Sequence, residues 1–348
     1  MTKLPERNLD VLRATAVLCV LFSHVAVLRH WRFGIITPYE LGYDGVLLFF
    51  VHTSLVLMGS LERQGERSDW VKAFYVRRAW RIYPLSIATV LLVAIVAVPA
   101  MPQRVFHAAT SFQILANIAL AQNVVGVPSI LGPFWSLPLE MQMYFLLPLL
   151  YVAGRRTSKG GLAVLWATGA LVGLAQIYGQ PRLPVAWRLN VLAYAPCFVA
   201  GIMAYRLCAI TKARIEAWVW PIAIGCLLAI YPEFISDVQR APARGWLLCL
   251  AIALLIPAVR EMPASRITAL SGVIAKYSYG IYLLHIPALW FSFIVLSSSP
   301  AYVQWSVFAA LVVALPWLAY TMIEDPGIRI GRRVAQRGTI FKAANVAP

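Results

Sequence analysis

The side chains best suited to chemistry in this chain are set into its apolar stretches. Arg13 and His24 both fall in the run covering residues 11–28. Their spacing of eleven is about three helical turns, so on a helix they share a face roughly 16 Å apart along the axis. Ionisable groups in such a run are costly unless they face a protein interior or water. The pair is therefore a functional candidate, with a positive anchor near one membrane face and an imidazole near the other. Ser136, Glu140 and Tyr144, spaced i, i+4, i+8 after Trp135, predict a second face. An imidazole and a carboxylate that can meet in a low-dielectric site suit acyl transfer to a hydroxyl. One group takes the hydroxyl proton, and the other orients that base or protonates a leaving thiolate.

Other groups carry two readings each. Arg77, Arg78 and Arg81, interleaved with Trp80 and Tyr83, can fork onto phosphate oxygens or serve as an ordinary basic membrane anchor. His285, with Tyr282 about one turn earlier, reads as a structural hydrogen bonder or a direct substrate contact. Glu324 and Asp325 read as a local ion-pair clasp with Arg329, Arg332 and Arg333. His52 reads as structural, and His30 and His107 as loop residues.

The elements that must position these groups are membrane helices. With 61% hydrophobic and 13% charged residues, and a mean hydropathy of +0.74, a soluble globule is excluded; the fold class is an all-α polytopic transmembrane bundle. About ten spans are expected, at 9–28, 41–61, 82–100, 135–153, 161–178, 190–207, 217–232, 245–259, 276–297 and 302–323. The first is read as an uncleaved span rather than a signal peptide. Lysines and arginines outside the spans divide 22 to 7 in favour of both termini being cytoplasmic. On that reading residues 1–348 form one transmembrane domain, with 324–348 a basic cytoplasmic tail. The connection 101–133 is too polar at Gln113, Asn117, Gln122 and Asn123 for a comfortable span, and is expected to be an interfacial helix or re-entrant lid. The net charge of +16 is read as basic loops facing anionic lipid, with no nucleic-acid partner. Five cysteines in or beside apolar runs, without ligand spacing, predict no metal site and no disulfide framework.

Together these segments resemble the acyltransferase-3 family of integral-membrane O-acyltransferases. The resemblance is carried by Leu12, Arg13, Ala14 and His24; by Phe49, Phe50 and Val51; and by Arg77, Arg78, Arg81, Ile82 and Pro84. It continues through Trp135, Ser136, Leu137, Glu140 and Tyr144, then Phe198 and Gly201, then Tyr279, Ile281, Tyr282, Leu283 and His285, and ends at Glu324 and Pro326. It implies about ten helices and transfer of an acyl group, usually acetyl, from cytosolic acyl-CoA to a hydroxyl of a carbohydrate or related acceptor. It further implies that His24 is catalytic, that Arg13 is required, and that Arg77, Arg78 and Arg81 contact the donor. The chain departs from the family in its second span. Leu47 and Leu48 stand where an acidic residue usually precedes the Phe pair, with Asp44 upstream, and His52-Thr53-Ser54 replaces the usual Leu-Ser-Gly.

The expected protein is an inner-membrane O-acyltransferase with no permanently bound cofactor and acyl-CoA as co-substrate. Membrane lipid and a carbohydrate or glycolipid acceptor are its partners. His24 and Glu140 are the catalytic residues, with His24 either a base or a transient acyl carrier. Arg13, Arg77, Arg78, Arg81, Trp135, Ser136, Tyr144, Tyr282 and His285 are the substrate and donor contacts. The rival is a proton-coupled transporter relaying through His24, Glu140 and His285. Against it stands a sequence with no internal repeat and no paired broken spans. A scaffold subunit of a polysaccharide assembly complex is the third reading.

Overall fold

The computed structural model describes residues 2–31, 38–64, 69–154, 157–178, 190–230 and 241–344, and the side chains of these except at 230, 241–242 and 337–344. Arg67, Arg155 and Arg156, which contribute to the charge asymmetry, lie outside the described residues. The described chain is helical, in the order α1 Glu6–Leu28, α2 Pro38–Glu62, α3 Trp70–Val96, α4 Ser111–Ile118, α5 Gln122–Val125, α6 Ser136–Gly154, α7 Lys159–Tyr178, α8 Ala195–Ile210, α9 Val219–Ile230, α10 Ala241–Ala258, α11 Arg266–Trp290, α12 Ala301–Ala319 and α13 Asp325–Ala344. Among the described residues eight helical stretches are long and apolar enough to cross a membrane. Two shorter apolar helices, Val219–Ala229 and Ala243–Ala258, fall where the seventh and eighth spans were expected.

Helix starts differ from the hydropathy reading. The third span begins at Trp70 rather than near residue 82, which puts Arg77, Arg78 and Arg81 inside α3 instead of at its mouth. Lys and Arg are good helix formers, and Ala73 and Phe74 are buried, so the helix runs on through residues that a hydropathy window scores as loop. α11 likewise starts early, at Arg266, ten positions ahead of the expected span.

The chain divides into two compact units. Unit 1 comprises Met1–Ser60 and Leu149–Ser278; unit 2 comprises Leu61–Pro148 and Tyr279–Pro348.

In unit 1, α1 and α2 approach closely because their contact residues are small. A Cβ on Gly45 would stand 2.6 Å from the Ala16 carbonyl oxygen and 3.0 Å from Cys19 Cβ, and one on Gly42 would collide with Ser23. Phe50 of α2 stacks on Phe198 of α8 at 4.4 Å, and a Cβ on Gly201 would collide with Val51 and Ser54. The start of α1 is stitched down by Asn8. Its amide donates to the Arg260 carbonyl at 3.1 Å, its side-chain oxygen accepts from the Met262 N–H at 2.9 Å, and its own carbonyl accepts from the Trp220 indole at 2.9 Å. The other end of α1 closes with His30 in the left-handed region at φ 55°. There the His30 N–H reaches Val27 and the Trp31 N–H reaches Ala26, satisfying two terminal carbonyls. The helix that carries Arg13 and His24 is thus fixed at both ends.

In unit 2, α13 lies along α3, with Gly327 and Gly331 letting it settle onto Trp80. The connection 101–133 does not cross the membrane as a long helix. It folds into α4, α5 and the 3-10 turn Gly132–Trp135, and the polar residues that spoiled it as a span hold it together. Asn117 donates to the Gln113 and Pro128 carbonyls and accepts from the Ile130 N–H at 2.9 Å. Gln122 donates to the Phe134 carbonyl, and Gln142 of α6 donates to Asn123.

Candidate active site

Unit 1 holds Arg13 and His24. The His24 Nδ1 lies 2.8 Å from the Val20 carbonyl oxygen one turn back. A carbonyl only accepts, so Nδ1 carries the proton and Nε2 carries the lone pair, which is the form a general base requires. No carboxylate is needed to set this tautomer, because the helix supplies the acceptor. The residue is intermediate between buried and exposed. Arg13 is tied down on the same helix: its Nε donates to Ser278 Oγ at 2.7 Å, and that hydroxyl donates onward to the Ala275 carbonyl at 2.8 Å. Its charge is also felt by the buried His52 on α2.

Unit 2 holds the remaining expected residues. Glu140 and Tyr144 meet as their spacing predicts, with the Tyr144 hydroxyl donating to the Glu140 carboxylate. Ser136, their neighbour one turn earlier, turns to another helix, and its hydroxyl lies 2.7 Å from that of Tyr282. Both hydroxyls also reach the Pro133 carbonyl, Tyr282 at 2.7 Å and Ser136 at 3.4 Å, so the three groups close a small hydrogen-bonded knot. Trp135 closes the 3-10 turn that leads into this knot. His285 repeats the His24 arrangement, with Nδ1 3.1 Å from the Ile281 carbonyl, but only 1% of the residue is exposed.

The three arginines separate. The Arg81 guanidinium is ion-paired with Glu324, which is fully buried, and sits over the Tyr279 ring at 5.7 Å; the Tyr279 hydroxyl donates to the Ile82 carbonyl at 2.8 Å. Arg77 and Arg78 stay half-buried on the preceding turn. The expected local clasp is half corrected by this. Asp325 does pair with Arg329, at 2.5 Å, but Glu324 turns away from the tail arginines to α3. The π turn Tyr320–Glu324 winds an extra residue into the helix just before it and re-aims the carboxylate.

Sequence reasoning gave Asp44 no role beyond being a displaced acid. It is fully buried in α2, and neither carboxylate oxygen has a hydrogen-bond partner among the described residues. The available signal was the presence of an acid inside a span at all.

The sequence model of the acyltransferase domain matches residues 6–321. The chain is 26% identical to the peptidoglycan O-acetyltransferase OatA of Listeria monocytogenes over 92% of its own length and 55% of that protein's, so it spans about half of that relative. It is 23% identical to Nodulation protein 10 of Rhizobium leguminosarum, covering 95% of this chain and 96% of that one. With the acyltransferase MdmB of Streptomyces mycarofaciens it shares 25% identity, covering 94% and 92%. No solved structure matches.

Proposed function

Since this chain belongs to the acyltransferase-domain family and is a multi-pass membrane O-acyltransferase, we propose that it moves an acetyl group from cytosolic acyl-CoA to a hydroxyl of a carbohydrate-type acceptor at the cytoplasmic membrane. The observation that carries this reading is the pinned ring of His24, whose lone pair is held on Nε2 by the Val20 carbonyl in a residue that is not fully buried. The carbohydrate acceptor is supported by the Listeria relative, a peptidoglycan O-acetyltransferase.

In this mechanism Nε2 takes the acceptor hydroxyl's proton as the oxygen attacks the thioester carbonyl. The new C–O ester bond forms, the C–S bond breaks, and the CoA thiolate leaves with a proton returned to it. Glu140, held by Tyr144, is the second proton-handling group. Arg77 and Arg78 meet the phosphates of CoA, while Arg81, engaged by Glu324, keeps α3 in place. Arg13 holds α1 through Ser278. The tied group of Ser136 and Tyr282, next to Trp135, supports the substrate surface in unit 2, and the sealed His285 packs against Tyr282 in a structural role.

Inverted membranes supplied with labelled acetyl-CoA test the reading. Transfer predicts free CoA thiol in step with label in a base-labile glycan fraction, whereas glycan uptake without thiol release favours the transporter. Full transfer by both His24→Ala and Glu140→Gln removes the mechanism.

A further inference from the structure

The connection 101–133 takes no part in the acyl-transfer mechanism, yet together with the end of α3 it encloses a cavity of about 330 Å³ within unit 2. Both walls are fixed. α3 ends at Ala97, in the left-handed region at φ 60°, where the Val98 N–H donates back to the Val93 carbonyl at 3.1 Å and the chain turns over the helix end. The Gly132 N–H donates to the Ala100 carbonyl at 2.8 Å, and the Gln113 and Asn117 amides both donate to the Pro128 carbonyl, at 3.2 and 3.1 Å. A hollow bounded by pinned backbone is preformed, and its size is that of a small-ligand site.

The lining divides by chemistry. Val93, Val98 and Ile130 give the cavity a buried apolar side, whereas Arg104 and His107 line it as exposed residues. The side chains of Arg104 and His107 have no hydrogen-bond or ion-pair partner among the described residues. No acid is near in the chain to supply one: residues 70–139 contain neither Asp nor Glu, and Glu140 is engaged by Tyr144. The residues beside the lining are apolar and face outward, with Ile95 82%, Phe112 59% and Leu115 63% exposed, as lipid-facing positions are. The occupant that fits is therefore anionic at one end, apolar at the other and drawn from the bilayer. The donor phosphates belong elsewhere, since Arg78 lies fifteen positions before Val93, about 22 Å along α3.

We propose that this cavity is a binding site for an anionic phospholipid of the bilayer: Arg104 and His107 hold the phosphate, and the start of an acyl chain lies against Val93, Val98 and Ile130. A free phosphate would leave the apolar side unused, and a neutral lipid would leave Arg104 without an anion. The bound lipid anchors the connection 101–133 to the bilayer surface. The site stands apart from the acyl-transfer reading, and neither depends on the other.

The test is lipid retention by purified full-length protein in a neutral detergent, read by native mass spectrometry as dioleoyl-phosphatidylglycerol or dioleoyl-phosphatidylcholine bound per chain across a titration. The wild type is expected to hold phosphatidylglycerol about 10-fold more tightly than phosphatidylcholine, and Arg104→Gln to bind it about 10-fold more weakly, the worth of a charge-assisted contact. Arg333→Gln, which removes an exposed charge on α13, is expected to change neither affinity. Ala94→Phe fills part of the lining with Arg104 intact and should weaken phosphatidylglycerol binding roughly 10-fold. Equal retention of the two lipids, wild-type affinity in Arg104→Gln, or an equal loss in Arg333→Gln overturns the proposal. Displacement of phosphatidylglycerol by an equal concentration of inorganic phosphate overturns it in favour of a free-anion site. If Arg104→Gln yields no folded protein, Ala94→Phe decides alone: weakened binding supports the site and unchanged binding overturns it.

Discussion

His24 and His285 occupy the same local cradle in different surroundings. Each ring folds back along its helix so that Nδ1 donates to the carbonyl four residues earlier, at 2.8 Å to Val20 and 3.1 Å to Ile281. His24 remains partly exposed in unit 1. His285 is sealed in unit 2 with its ring centroid 6.2 Å from that of Tyr282. Any helix can fix a histidine tautomer in this way. What separates a candidate base from a structural imidazole is whether substrate can reach the lone-pair nitrogen. Two buried carboxylates repeat the contrast: Glu324 in unit 2 is committed to Arg81, whereas Asp44 in unit 1 receives no donor among the described residues.

The largest effect expected from this contrast is on stability. Glu324→Gln strips the anion from a largely buried guanidinium and should destabilise the protein by about 3–5 kcal/mol, read as a lower melting temperature in detergent. Asp44→Asn removes a charge that no hydrogen bond satisfies, and should melt at or above the wild-type temperature. Equal losses from the two would break the comparison. Next in size is donor binding. Arg77→Gln and Arg78→Gln should each raise the KM for acyl-CoA about 10-fold, the worth of a charge-assisted phosphate contact, with kcat changing less. An unchanged KM would return both residues to the role of membrane anchor. The smallest effect belongs to the sealed imidazole: His285→Asn should keep acyl transfer within about 3-fold of wild type, its cost falling instead on stability through the lost hydrogen bond to Ile281.

Much of this was legible in the residues. Hydropathy located the helices because a lipid-facing segment has to be apolar along its length, and the i, i+4 spacing found Glu140 and Tyr144 because helical neighbours stack. The helix starts were less legible. Residues 70–81 continue α3 through Lys72, Arg77, Arg78 and Arg81, whose helix propensity a hydropathy scale does not register. The partner of Glu324 was illegible for another reason. It lies 243 positions away on α3, and a π turn redirects its side chain, so local charge spacing pointed to the wrong arginines. Nor could sequence alone show that Asp44 lacks a donor, since that depends on how the helices pack: Arg244 gives its Nη1 to Glu40, and none of its nitrogens hydrogen-bonds Asp44.

The central claim is that the less deeply buried imidazole, His24, performs the chemistry. Single-turnover transfer from labelled acetyl-CoA by purified full-length His24→Asn, alongside His285→Asn, tests it most directly. The account predicts a loss on the order of 10³-fold for His24→Asn, within the range for removing a general base, at a melting temperature lowered no more than by His285→Asn. Transfer by His24→Asn within a few-fold of wild type, or a larger loss in His285→Asn, would contradict it.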